Sequence, residues 1–203
     1  MRTDSPMDVS RETQARLGTF EALLKKWNPA INLVSASTLP EFHKRHILDS
    51  AQLFSLRPAD ARRWVDLGSG GGLPGLVVAI LAADAAPGME TVLIESDARK
   101  AAFLNTVIRE LSLSARVICG RIEAVAPQSG DVVSARALAP LDRLLGYGAR
   151  HMAPGGTALF PKGANHEAEV AMALETWTFS LQKYPSMADP RAAILKIGDI
   201  TRV

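Results

Sequence analysis

The chain has 203 residues, 47% of them hydrophobic and 22% charged, with a formal net charge of +2. Such a composition makes one globular domain with a sizeable core and excludes disorder, a coiled coil and collagen, because the 15 Gly and 12 Pro follow no period. A single cysteine, Cys119, excludes an internal disulfide and a thiolate zinc cluster. The opening Met1-Arg2-Thr3-Asp4-Ser5-Pro6 lacks the apolar run of a secretory signal, so the expected compartment is a reducing cytoplasm, with no membrane role and no metal.

Taken in chain order, the first periodic segment runs from a Ser10 N-cap to Trp27, with Leu17, Phe20, Leu23, Leu24 and Trp27 on one helical face. Asn28-Pro29 is expected to end that helix. A second helical stretch is predicted from about Pro40 to Phe54, so that residues 1–60 form a small helical appendage before a main domain of residues 61–203. The appendage carries a basic cluster, His43-Lys44-Arg45-His46, whose charge suits phosphate contact and equally suits a solvated helix face.

After Arg63 the pattern changes to short apolar runs, glycine turns and longer helical segments, which implies βαβ units and a mostly parallel sheet. Strands are predicted at 64–67, 91–94, 116–119, 132–134 and 157–160. Helices are predicted at about 74–83, 98–111, 141–152 and 165–177. The apolar run Leu76 to Ala83 is too short to span a bilayer and reads as a buried helix. Segments 179–184 and 193–197 read as an antiparallel pair closing one edge. The fold class is therefore α/β, a doubly wound sandwich whose ligands sit at the carboxyl ends of the strands.

The most informative segment is Val65-Asp66-Leu67-Gly68-Ser69-Gly70-Gly71-Gly72-Leu73-Pro74-Gly75, a strand running into a glycine turn and then a helix. Gly70, Gly72 and Gly75 match the spacing of a dinucleotide fingerprint, which admits a ligand close to the backbone. Asp66, at the strand end, would repel a pyrophosphate and favour an ammonium or sulfonium group. Pro74 removes one of the helix-start N–H groups that would serve an anion. Both features favour S-adenosylmethionine, with Glu95 at the next strand end placed to accept from ribose hydroxyls. As an alternative, Asp66 braces the loop, and Glu123 either opens a surface helix or reaches the adenosine.

On the acceptor side, the segment after the fourth strand reads Val133-Ser134-Ala135-Arg136-Ala137-Leu138-Ala139-Pro140, with no aromatic clamp and no base. That suits an acceptor with a free lone pair, such as guanine N7, whose N7 and O6 edge is the preferred partner of an arginine fork. Arg136 is the positioning candidate, though the same residue type serves as a buried structural arginine or as a partner of the cofactor carboxylate.

The sequence resembles the RsmG (GidB) family of bacterial 16S ribosomal RNA guanine-N7 methyltransferases. The resemblance rests on residues 27–35 (Trp-Asn-Pro-Ala-Ile-Asn-Leu-Val-Ser), on Arg45-His46-Ile47-Leu48-Asp49-Ser50 and on the loop from Asp66 to Gly75. It continues through Glu95-Ser96-Asp97-Ala98-Arg99-Lys100, Phe103-Leu104, Arg121-Ile122-Glu123, Ser134-Arg136-Ala137 and Lys162-Gly163. What it implies is a Rossmann-like class I methyltransferase fold using S-adenosylmethionine. The implied partner is 16S RNA in the small ribosomal subunit or an assembly intermediate, and a monomer is expected.

Matching positions put cofactor contacts at Gly68, Leu73, Glu95, Ser96, Asp97, Ile122, Glu123 and Arg136, and Asp66, Gly70 and Gly72 complete the loop. Asn32, Arg45, His46, Arg136 and Lys162 are the RNA-side candidates, while Asp49 reads as a structural tie between appendage and core. Two rivals remain at this stage: an NAD-dependent oxidoreductase, from the glycine spacing and Glu95, and a non-catalytic nucleotide-binding assembly factor. A small-molecule methyltransferase is a third, weakened by a basic appendage where an apolar lid would sit.

Overall fold

The computed structural model describes residues 9–203, so the opening segment Met1–Pro6 lies outside the described residues. Seven strands form one sheet: β1 (Arg63–Leu67), β2 (Glu90–Glu95), β3 (Ala115–Cys119), β4 (Gly130–Ser134), β5 (Met152–Lys162), β6 (Trp177–Pro185) and β7 (Ala193–Arg202). Their spatial order is β3-β2-β1-β4-β5-β7-β6. The first five pair in parallel, and β7 lies antiparallel to both β5 and β6, as expected for the closed edge. The order reverses between β1 and β4, which opens a crevice at their carboxyl ends where ligands of such sheets bind.

Successive strand residues point to opposite faces, and the core divides accordingly. On one face Trp64, Val132, Leu93 and Leu159 pack with helices α1 (Arg11–Ile31), α2 (Asp49–Ser55), α3 (Gly75–Ala85) and α4 (Ala98–Glu110). On the other, Val65, Val133, Ala158 and Phe160 pack with α5 (Leu141–His151) and α6 (His166–Ala173). The N-terminal helices share their core with the sheet: Phe20 and Leu24 of α1 are fully buried beside the apolar α3. Among the described residues no helix is long and apolar enough to cross a membrane.

Three expectations are corrected. Helix α1 runs through Pro29 to Ile31, and the Asn28 side chain holds the turn just beyond its end: its Oδ1 accepts from the N–H groups of Leu33 (2.8 Å) and Val34 (2.9 Å). Asn32 then closes the helix in the left-handed conformation, φ 48°.

The single helix expected over 40–54 is three pieces, a 3-10 turn at Ala36–Glu41, a π-helical turn at His43–Leu48 and α2. The widened turn seats His46 against both Thr38 and Arg136, a local irregularity of the kind found at functional sites.

Finally, α6 stops at Ala173 and Trp177 already belongs to β6. Thr176 Oγ1 and Trp177 Nε1 both donate to Asp142 Oδ1, at 2.9 and 2.8 Å, which draws this segment out of the helix and onto α5.

Candidate active site

The glycine loop is built from beneath. The Asp66 carboxylate, 1% exposed, accepts from Ser134 Oγ at 2.6 Å and from the Gly75 N–H at 3.3 Å, while Trp64 Nε1 donates to the same Ser134 oxygen at 2.8 Å. Burial pushes Asp66 up to about 6 against the pull of these hydrogen bonds. The carboxylate is thus turned under the loop and is absent from the cavity wall. It shapes the loop that a ligand would meet, and the bracing alternative describes its geometry. A Cβ on Gly75 would stand 2.5 Å from Leu93 Cδ2 and 2.7 Å from Asp66 Oδ2, so the third glycine lets the helix close onto the strand.

Above the loop lies a cavity of about 370 Å³ lined by Gly68, Gly70, Glu95, Ser96, Ile122, Glu123 and Arg136 among others. A Cβ on Gly68 (φ +64°) would meet Leu138 at 2.6 Å, whereas one on Gly70 (φ +52°) would project into open space, with only the Gly68 carbonyl at 3.8 Å. Gly70 therefore leaves a cradle that a side chain would fill, the fit an adenosine-linked ligand needs at that backbone.

Glu95, 7% exposed, accepts from Gly70 N–H and Asp97 N–H, both at 2.8 Å, which fixes its carboxylate at the rim with lone pairs left for hydroxyl donors. Glu123 accepts from Tyr147 Oη and from Arg143 Nη2 (3.1 Å), and these bonds, that of Tyr147 foremost, hold it down at about 2.

Not every cofactor candidate reaches this cavity. Gly72 and Leu73 lie behind the loop; a Cβ on Gly72 would strike Leu76 at 2.3 Å, and Leu73 is buried in the core. Asp97 caps α4, accepting from the Arg99 and Lys100 N–H groups. Lys100, Arg121, Arg143 and Tyr147 also line the cavity and were not singled out from sequence as site residues. The spacing of four that sets Arg143 and Tyr147 on one face of α5 was the available clue.

The acceptor side opens where Arg136 stands. Arg136 and Ala137 line both the first cavity and a second of about 270 Å³, bounded further by Asp49, Pro161, Lys162, Glu169 and Ser186. A third cavity, of about 490 Å³, continues past Asp49 to Arg45, His46 and the loop between β6 and β7.

The Arg136 Nη2 donates to His46 Nδ1 at 3.0 Å, and His46 Nε2 meets Thr38 Oγ1 at 2.9 Å. His46 is 8% exposed, and burial together with the charges of Arg136 and Arg45 lowers it to about 4, so it is a neutral imidazole at physiological pH. Burial lowers the Arg136 pKa, and the charges of Asp49 and Asp66 oppose that.

Of the other RNA-side candidates, Lys162 is already engaged. Its side chain is 9% exposed, with Nζ 2.6 Å from Glu169 Oε2 and donating to the Ala139 carbonyl at 3.0 Å. Burial at the end of β5 makes it a bolt for the loop after β4. Asn32 is spent on ending α1, and the next residue, Leu33, packs its carbonyl over Gly71. Arg45 is exposed and pairs with Glu41 at 2.9 Å.

The loop 186–192 joins β6 to β7. It docks on α2 through Gln52 Nε2 to the Pro185 carbonyl (2.7 Å) and Ser186 Oγ to Asp49 Oδ1 (2.9 Å).

Residues 13–194 match the family model GidB, described as rRNA small subunit methyltransferase G. The chain belongs to the GidB family. A Ribosomal RNA small subunit methyltransferase G of Cereibacter sphaeroides is 51% identical over 197 residues, covering 97% of this chain and 96% of the relative. That of Paracoccus denitrificans is 52% identical over 192 residues, covering 94% and 97%.

Among solved structures, a TehB-like SAM-dependent methyltransferase from Corynebacterium glutamicum superposes with a TM-score of 0.59 at 13% identity, covering 92% of this chain and 100% of that one. The fold is thus the class I S-adenosylmethionine-dependent methyltransferase fold, and this GidB member uses S-adenosylmethionine. The oxidoreductase reading of the glycine spacing finds no support in these matches.

Proposed function

We propose that this chain transfers a methyl group from S-adenosylmethionine to N7 of a guanine in 16S RNA of the small ribosomal subunit, as part of the particle or of an assembly intermediate. The observation that carries the reading is Arg136, the side chain shared by the walls of the cofactor cavity and the acceptor cavity. When bound, the cofactor supplies an electrophilic sulfonium methyl, which the N7 lone pair takes while the carbon–sulfur pair returns to sulfur.

Guanine N7 loses no proton in this reaction, so the chain's task is alignment and exclusion of water. Gly68 and Gly70 admit the ligand to the backbone, Glu95 accepts from ribose hydroxyls, and Ser96, Ile122 and Glu123 line the adenosine end. Arg136, aimed by the neutral His46, donates to guanine O6 and leaves N7 open to the methyl. Arg45, exposed on the π-helical turn, reaches RNA phosphate.

In this reading residues 1–60 are the acceptor-side appendage and residues 61–203 the methyltransferase domain. The supply of Arg45, His46 and Asp49 from the first and of the glycine loop from the second supports that division. A cytoplasmic monomer completes the proposal. Its substrate belongs to the ribosome, and of the large apolar side chains most exposed, Met172 and Leu174 share the end of α6 while Met187 and Val203 lie elsewhere, on the β6–β7 loop and after β7.

The test is transfer of labelled methyl to small subunits from a strain lacking this protein. Incorporation by the wild type is expected. Absence of incorporation into subunits, free 16S RNA and assembly intermediates alike, with cofactor binding intact, overturns the proposal.

A further inference from the structure

Two carboxylates, Asp49 and Glu169, line the cavity beyond Arg136, and they differ in what they already hold. Glu169 Oε2 is bound by Lys162 Nζ and by the Leu141 N–H at 2.8 Å, which neutralises it and caps α5. Asp49 has no ion-pair partner within 4.0 Å among the described residues. Its Oδ1 accepts from Ser186 Oγ at 2.9 Å, and that hydroxyl is itself fixed by the N–H groups of Ala188 (3.0 Å) and Asp189 (3.2 Å). Among the described residues its Oδ2 accepts no hydrogen bond, and Asp49 borders both acceptor-side cavities. A carboxylate held through one oxygen, with no hydrogen bond to the other among the described residues, on a residue that lines a cavity of about 270 Å³, is more than a tie between the appendage and the core.

We infer that Asp49 reads the Watson–Crick edge of the acceptor guanine, its carboxylate accepting from N1–H and the 2-amino group. The inference rests on the guanine-methylating function proposed above. The order of groups along the cavities matches the order around the base. Going round guanine from the reacting atom, N7 is followed by O6, then N1, then the 2-amino group; along the protein, the cofactor cavity is followed by Arg136, then Asp49. A base with N7 toward the methyl and O6 on the Arg136 guanidinium turns its two donors toward the carboxylate.

Adenine presents an acceptor at N1 and no 2-amino group, so a carboxylate there rejects it. The same contact favours the reaction. Alkylation at N7 makes the purine cationic and its N1–H and amino protons stronger donors, so the bond to Asp49 strengthens in the transition state. Asp49 is thereby a specificity-determining residue whose loss lowers kcat together with selectivity.

The test compares small subunits reconstituted from 16S RNA carrying either guanosine or inosine at the methylated position. Inosine keeps N7, O6 and N1–H and lacks only the 2-amino group. The wild type is expected to methylate the guanosine particle roughly ten- to a hundredfold faster in kcat/KM, the worth of one hydrogen bond to a charged group. Asp49→Asn is expected to lower kcat on guanosine by a similar factor and bring the two substrates to within about threefold, with the Kd for S-adenosylmethionine unchanged.

Equal wild-type rates on guanosine and inosine overturn the inference, whether or not the variant folds. An Asp49→Asn variant that loses the same factor on both substrates overturns it as well, and leaves Asp49 a structural tie. No wild-type transfer to the guanosine particle defeats the proposed function instead, so the two failures are distinct.

Discussion

The two halves of the site are built by opposite means. The cofactor half rests on backbone, the turn from Gly68 to Gly75 being held by Glu95 at Gly70 and by Asp66 at Gly75, two carboxylates from neighbouring strands. The acceptor half is made of side chains from three distant segments, with Arg136 after β4, His46 and Asp49 from the π-helical turn and α2, and Ser186 from the β6–β7 loop. Backbone sites tolerate nothing that alters φ or fills space, whereas side-chain sites depend on a few polar contacts of exact direction. A substitution should therefore strike one half and spare the other.

Arg136→Ala, at the charged side chain that both cavities share, asks which half it serves and should have the largest effect. Methyl transfer is expected to fall by about 10²–10³ while the Kd for S-adenosylmethionine stays within about threefold, as for loss of one charged donor at a reacting centre. Calorimetry beside single-turnover transfer checks both arms, and a parallel loss of cofactor binding would merge the halves.

A pH series on Asp66→Asn probes the floor of the cofactor half. Asp66 is raised from 3.8 to about 6 in the folded protein, so its protonated form favours folding. Wild-type stability measured against the variant is highest below about pH 4 and declines until pH passes about 6, by something of the order of 3 kcal/mol. Urea unfolding at pH 4, 5, 6 and 7 reads this difference, and a pH-independent difference contradicts the buried carboxylate.

Gly70→Val adds a side chain where the protein leaves room. Thermal unfolding should shift only by the cost of φ +52° for a branched residue, about 1–3 kcal/mol, while cofactor affinity falls by roughly tenfold or more because the branches occupy the cradle. Retained affinity would place the ligand elsewhere.

Arg45→Ala should do least. Its exposed pair with Glu41 contributes little to stability, and the expected effect is a salt dependence of RNA binding reduced by about one phosphate contact. An unchanged salt slope removes Arg45 from the RNA side.

Legibility in the sequence follows the same division. The strand, glycine turn and helix from Trp64 to Ala85 were readable because periodicity and glycine placement are local, and the antiparallel edge was readable from its strand pattern. Direction and engagement of side chains were not. Asp66 could be placed at the strand end but not turned beneath the loop, since its partner Ser134 lies 68 residues away on β4. Lys162 was named as an RNA-side candidate without its partner, because Glu169 approaches it only once α6 packs against the sheet. The run of α1 through Pro29 to a turn held by Asn28, and the end of α6 before Trp177, held by Asp142, depend likewise on single side-chain partners that local propensity does not show.

Nucleoside analysis reads the acceptor atom directly. Small subunits from a strain lacking this protein, treated with the enzyme and S-adenosylmethionine, would be digested and their methylated nucleosides separated by mass. One added 7-methylguanosine per 16S RNA is expected; methylation at another atom, on another base or at several scattered guanines would overturn the N7 assignment.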